Sequence, residues 1–214
     1  MTIYNDQLSQ YTTNLFAIHD KGLQRAWDET PRKGLPAISI KPEEGRFLQF
    51  LTRACGAKKA LEIGTLGGYS GIWIARGLVP GGKLITLELE SRHAEIAREH
   101  FEFAGVGESI EIRLGDAHHA LEQLSSEAPF DFVFIDAEKT GYPKYLAWAL
   151  EHTRVGGIIA AHNAYRKGSV AGLAEPDAYT ETMREFNISI ATNPRLMSTI
   201  YPAGDGTLVS VKVA

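Results

Sequence analysis

Cysteine is almost absent. Cys55 stands alone among 214 residues, so no disulfide can close within the chain. That fits a reducing compartment. Also missing is any run of Lys and Arg long enough to follow a phosphate backbone, and the formal net charge is −4. A nucleic-acid partner is therefore disfavoured. No uninterrupted apolar stretch approaches the roughly 20 residues of a membrane span. Residues 1–20 are polar, without the basic start and apolar core of a signal peptide. A cytoplasmic protein without a membrane partner is expected. No internal repeat or low-complexity segment breaks the chain. What is present is an ordinary globular balance, 44% hydrophobic and 22% charged. The length favours one domain with a short extension, large enough to fold without staples.

Two textures divide the chain near residue 57. Before it, residues 4–27 and 42–56 read as helical, separated by the punctuated stretch Pro31-Arg-Lys-Gly-Leu-Pro36. We take residues 1–57 as a helical extension of the same domain, in the region of substrate and dimer contacts, and 58–214 as its main body. From Lys58 onward short β-rich runs alternate with helical patterns. The strand candidates are 59–64, 83–89, 110–114, 130–136 and 157–161. A late helix is expected over about 177–186, then two β-type runs at 188–191 and 207–213. Near-continuous apolar strands alternating with helices mean a mostly parallel sheet covered on both faces. The last two runs are joined only by residues 193–206, too short and turn-rich for a crossover, so the final strand should be antiparallel. The expectation is a seven-stranded α/β sheet.

Ligands of such sheets sit beyond the C-terminal strand ends. Those ends read Glu62-Ile-Gly64-Thr65-Leu-Gly67-Gly68-Tyr-Ser70, Glu88, Gly115-Asp116-Ala117, Asp136-Ala-Glu-Lys139 and His162-Asn163. Any one alone is a turn glycine or a helix cap. Five in succession on one edge point to a ligand. The first loop reads G-x-x-G-G, so the G-x-G-x-x-G dinucleotide fingerprint is not met. That makes an NAD-dependent oxidoreductase a poor fit. Glu62 would repel a pyrophosphate and suit an ammonium. Glu88 is placed to accept bonds from ribose hydroxyls, and Asp116 and Ala117 would flank an adenine. Ammonium, ribose and adenine together describe S-adenosylmethionine.

From about Leu35 onward the sequence resembles the metal-dependent catechol/caffeoyl-CoA type of O-methyltransferase. The resemblance rests on Ile38-Ser-Ile-Lys-Pro-Glu-Glu-Gly45, Leu61-Glu-Ile-Gly-Thr-Leu-Gly-Gly-Tyr-Ser70, Leu87-Glu88, Gly115-Asp-Ala117, Phe134-Ile-Asp-Ala-Glu-Lys-Thr-Gly-Tyr142 and Pro202-Ala-Gly-Asp-Gly206, in that order. It implies a class I methyltransferase fold, Rossmann-like, and a homodimer. It implies that Ile40 lies over the cofactor and that Glu62, Gly64 and Thr65 approach its methionine part. Ser70 would bind the methionine carboxylate, aided by a helix N-terminus. Glu88 would hold the ribose, and Ala117 the adenine. Asp136 would lie beside the cofactor and ligate a divalent metal, typically Mg²⁺, that chelates adjacent oxygens of an aromatic acceptor. Lys139 would be the general base, its pKa depressed beside a cation.

One position departs from the family. Strand five should end in Asp-Asn, both metal ligands, but here it ends His162-Asn163. Three roles stay open. His162 ligates with Asp136 and Asn163, shifting preference toward transition metals. Or the metal is lost and His162 acts as a base or binds substrate. Or Asp136, Asn163 and waters hold the metal alone. The alternatives for the chain are a metal-independent methyltransferase using His162 or Lys139 as base, an enzyme with another acceptor, and a non-catalytic S-adenosylmethionine-binding protein. The adjacent pair His118-His119 points about 100° apart on a helix and is expected at the surface or adenine rim. Trp73, Trp148 and Tyr145 are expected to pack, and Asp131 to be a cap or a surface acid.

Overall fold

The computed structural model describes residues 4–214. Three helices precede the sheet: α1 (Asp6–Phe16), α2 (Lys21–Arg32) and α3 (Pro42–Ala54). Strands and helices then alternate as β1 (Lys59–Ile63), α4 (Tyr69–Gly77), β2 (Lys83–Glu88), α5 (Ser91–Phe103), β3 (Ile110–Leu114), α6 (Ala117–Leu124), β4 (Phe130–Ile135), α7 (Tyr142–His152) and β5 (Thr153–Ala161). The chain closes with α8 (Thr180–Ala191), β6 (Leu196–Tyr201) and β7 (Thr207–Lys212). The seven strands lie in the order β3-β2-β1-β4-β5-β7-β6. The first five are parallel; β7 runs antiparallel to both β5 and β6, so the final strand is reversed as expected.

Side chains alternate across each strand, so the sheet feeds two cores. In β4, Val133 and Ile135 face a core with α6, α7 and α8, while Phe132 and Phe134 face α2 to α5. Each fully buried side chain of this size contributes about 1.5–3 kcal/mol. Trp73 is 1% exposed in the second core, as its helical spacing suggests. Tyr145 is buried in the first, and half-buried Trp148 packs beside it. Asp131 caps the start of β1, accepting the backbone N–H groups of Lys58 and Lys59 at 2.8 Å each and pairing with Arg154.

Three local expectations are corrected. Residues 188–191 are not a strand: they complete α8. Met183, Phe186 and Ile190 form its buried stripe at helical spacing, while Ile188 is exposed. The sixth strand lies instead at Leu196–Tyr201, after Pro194. The N-terminal helical segment is two helices, because Asp20 starts a new one by accepting Leu23 N–H at 3.0 Å. α2 then continues through Pro31, beyond the expected break. Among the described residues no helix is long and apolar enough to cross a membrane.

Candidate active site

The order of the sheet reverses at β1, whose neighbours β2 and β4 carry the chain to opposite sides. A crevice opens beyond the strand ends at such a point. The ladder here runs one residue past each strand. Gly64 N–H bonds to Leu87 C=O, Asp136 N–H to Ile63 C=O, His162 N–H to Ile135 C=O and Gly115 N–H to Glu88 C=O, at 2.8–3.1 Å. These bonds bring the ends of β1 to β5 into one row. They border a cleft of about 790 Å³ lined by Ile40, Gly64, Thr65, Ser70, Glu88, Asp116, Ala117, Asp136, Lys139, His162 and Asn163. Of the residues given a cofactor, metal or catalytic role from the sequence, Glu62 alone does not line it.

Glu62 lies behind the glycine loop and is fully buried. Its carboxylate accepts Ser70 Oγ–H at 2.5 Å and Thr86 Oγ1–H at 2.7 Å. Thr86 in turn meets Thr65 Oγ1 at 2.6 Å. Burial pushes the Glu62 pKa up to about 7; its two hydroxyl partners oppose the rise, and Asp136 and Glu88 add to it. The loop above is tightly held. A side chain at Gly64 would collide with the Asp136 backbone oxygen, and one at Gly67 with Thr30 Oγ1. His100 Nδ1 reaches Gly67 C=O at 2.8 Å. Leu66 takes the left-handed φ of 49°, rare for a branched residue. Its N–H is fixed by Glu88 Oε2 at 2.7 Å. α4 starts at Gly68 with no side-chain cap, so its first N–H groups remain available to an anion.

On the adenine side, Asp116 caps α6 by accepting His119 N–H at 3.0 Å, the ordinary structural role of an acid there. His118 stacks on Tyr145 at 4.8 Å, and His119 is exposed.

At the other end, Asp136 is flanked by two cations. Lys139 Nζ lies 3.2 Å from Oδ1 and His162 Nδ1 lies 3.3 Å from Oδ2. Burial alone would raise the Asp136 pKa, but His162 and Lys139 outweigh it and hold the carboxyl well below the usual range. Lys139 also donates to Tyr142 Oη at 2.6 Å and Ala137 C=O at 3.0 Å. His162 Nε2 lies 3.1 Å from Glu44 Oε1 on α3. Burial lowers the imidazole pKa, but Asp136 and Glu44 overcome that and raise it to about 10. Asn163, at a left-handed φ of 61°, donates its amide to Asp205 Oδ2 at 2.8 Å.

Comparison with known proteins decides the family. The O-methyltransferase family model matches residues 15–213. A catechol O-methyltransferase of Niastella koreensis is 40% identical over 197 residues, covering 91% of this chain and 89% of that protein. One from Mycobacterium tuberculosis is 42% identical over 158 residues, covering 74% of this chain and 70% of that protein. The crystal structure of an O-methyltransferase from Bacillus cereus in complex with SAH superposes with a TM-score of 0.87 at 38% identity, covering 96% of this chain and 97% of that one. The chain belongs to the O-methyltransferase family. It is a class I, S-adenosylmethionine-dependent enzyme.

Two functional positions of this methyltransferase escaped the sequence. Glu44 reads as the third residue of a helix, and its Oε2 does accept Lys41 N–H at 2.9 Å. Its other oxygen turns to His162. Asp205 lies in the quoted Gly-Asp-Gly turn, but only the fold brings it to Asn163. The donor set of a divalent metal does not fit here. Both His162 ring nitrogens face carboxylates, both Asp136 oxygens face cations, and the Asn163 amide is turned to Asp205. Among the described residues no three His, Cys, Asp or Glu side chains are grouped to hold a metal ion.

Proposed function

We propose that this enzyme transfers the methyl group of S-adenosylmethionine to a hydroxyl of a small aromatic acceptor, catechol-like or phenolic. Lys139 carries the proposal: its Nζ lies 3.2 Å from Asp136 in the same cleft as the glycine loop. The names of the two curated relatives favour the same acceptor class. The cofactor's ribose binds Glu88 and its adenine lies by Asp116 and Ala117. Its methionine carboxylate sits at Ser70 and the start of α4, with Gly64 and Thr65 approaching by backbone. Glu62 acts from behind by fixing Ser70. Ile40 covers the cofactor, and Asp136 orients Lys139.

The sulfonium already activates the methyl group, so the protein has to align and deprotonate. Holding oxygen, carbon and sulfur in line supplies up to about 7–11 kcal/mol. The Lys139 amine, when neutral, takes the phenolic proton. A homodimer is part of the proposal, because α1 buries no residue while its Tyr11, Leu15 and Phe16 are exposed, as is Phe50 of α3. We also read residues 1–57 as one folding unit with the rest, and the protein as cytoplasmic, in keeping with its single cysteine.

Methyl transfer to a panel of catechols and monophenols, followed by mass spectrometry, tests the proposal. Lys139→Ala should lower kcat by about 10²–10⁴-fold, the usual contribution of a general base, while SAH affinity is unchanged. An SAH-binding protein that methylates no phenol would refute it.

A further inference from the structure

His162 is a buried side chain between two carboxylates. Asp136 Oδ2 faces Nδ1 at 3.3 Å and Glu44 Oε1 faces Nε2 at 3.1 Å. A neutral imidazole carries one N–H and one lone pair. Between two carboxylates, that lone pair would point at an anion. Only the ring with both nitrogens protonated suits both neighbours.

Glu44 is built to be that neighbour. It is 1% exposed. Besides Lys41 N–H, it accepts Thr207 Oγ1–H at 3.2 Å. Among the described residues His162 is the one cation at ion-pair distance from it. The Gly-Asp-Gly turn makes room for it: at Gly204, φ +57°, any side chain would run into the Glu44 carboxylate. The same turn sends Asp205 to Asn163. A divalent cation here would need a lone pair from His162 and an oxygen from Asp136. Both ring nitrogens and both Asp136 oxygens already face an oppositely charged neighbour, with Nε2 held to Glu44 as an ion pair without hydrogen-bond alignment.

We propose that His162, clamped by Asp136 and Glu44, is a built-in cation standing in for the divalent metal, so that this enzyme transfers methyl groups without one. Glu44 is then a positioning residue for the His162 ring. A metal anchors an acceptor through two adjacent oxygens; without it, one hydroxyl at Lys139 suffices, and monophenols become acceptors beside catechols. The step balances without a metal. Lys139 first releases its ammonium proton to solvent; the phenolic proton then passes to the neutral amine, the oxygen electron pair forms the O–CH₃ bond, and the C–S pair stays on sulfur as a neutral thioether. The inference rests on the proposed function for its reaction, but its binding test does not.

The experiment uses the full chain dialysed against EDTA. Metal content is measured by elemental analysis, Mn²⁺ and Mg²⁺ binding by calorimetry, and the His162 ring by ¹⁵N NMR near neutral pH. The wild type should retain and bind no divalent metal, and show both ring nitrogens as N–H. Where it turns over a phenol, EDTA should change the rate by less than about twofold. His162→Asp should bind Mn²⁺ stoichiometrically. Glu44→Gln, which keeps the side-chain shape, should move the ring signal toward neutral imidazole. Stoichiometric metal on the wild type overturns the proposal, as does a neutral ring, or a rate lost to EDTA and restored by Mg²⁺. A folded His162→Asp variant that binds no Mn²⁺ overturns the substitution of ring for metal. Failure to methylate any phenol sinks the proposed function instead, and leaves the metal measurements to decide this one.

Discussion

Replacing Glu62 by Gln should make the protein more stable at alkaline pH and worse at holding its cofactor. Glu62 is fully buried, and burial raises its pKa from 4.5 to about 7 in the folded state. Between those values the unfolded chain has lost a proton that the folded one keeps. Stability therefore falls as pH rises through this window, at about 1.4 kcal/mol per pH unit. Over the window from 4.5 to about 7 the loss is about 3 kcal/mol. The destabilisation is absent below pH 4.5 and complete above about 7. Gln fills the same space and never ionises, and the Ser70 and Thr86 hydroxyls can turn to suit an amide. Urea unfolding of both proteins at about pH 5 and pH 8 isolates the group, because other titrations cancel in the difference. The variant should gain about 3 kcal/mol on the wild type between the two conditions. Above about pH 7 SAH affinity should fall at the same time, since there Ser70 loses an anionic acceptor. Parallel stability profiles would show that Glu62 is not a strained, buried acid.

Three further outcomes follow from the site. Gly64→Ala should abolish cofactor binding and cost about 1–3 kcal/mol of stability, because φ is +104° and a Cβ meets the immovable Asp136 backbone oxygen; calorimetry with SAH and thermal melts read both. Glu88→Ala should weaken SAH binding by about 10–100-fold, the worth of charge-assisted bonds at about 1.5–3 kcal/mol, and release Leu66 from its left-handed conformation. His162 has its pKa raised from 6.5 to about 10. Its stabilisation is thus fully present below pH 6.5 and lost as pH rises through about 10. The stability gap between wild type and His162→Gln, followed by melting from pH 6 to 10, should shrink upward across that range.

The strand-end row of Gly64, Glu88, Asp116, Asp136 and His162 was legible because parallel strands alternating with helices leave their C-terminal ends on one edge. The apolar run over 130–136 placed β4 to within a residue of its observed end. Weaker signals misled. Ile188-Ser-Ile-Ala191 is short, and a short apolar run fits the end of a helix as well as a strand. There the packing of Met183, Phe186 and Ile190 against the sheet decided. Glu62 reads from the sequence as a neighbour of the cofactor's methionine part; the fold adds that its buried carboxylate holds Ser70 and Thr86.

Contiguous residues and their spacing were enough for the first five strands, the last strand, the glycine loop after β1 and the family. The sequence by itself also exposed the substitution at His162. What that substitution does was decided only by tertiary structure. Glu44 sits on a helix far back in the chain, where local reading makes it a cap. Asp205 sits in a turn far ahead. Packing of α3 and the β6–β7 turn against the end of β5 brings both to the same place, and a charge acquires its meaning from the charges within a few ångströms, not from its neighbours along the chain.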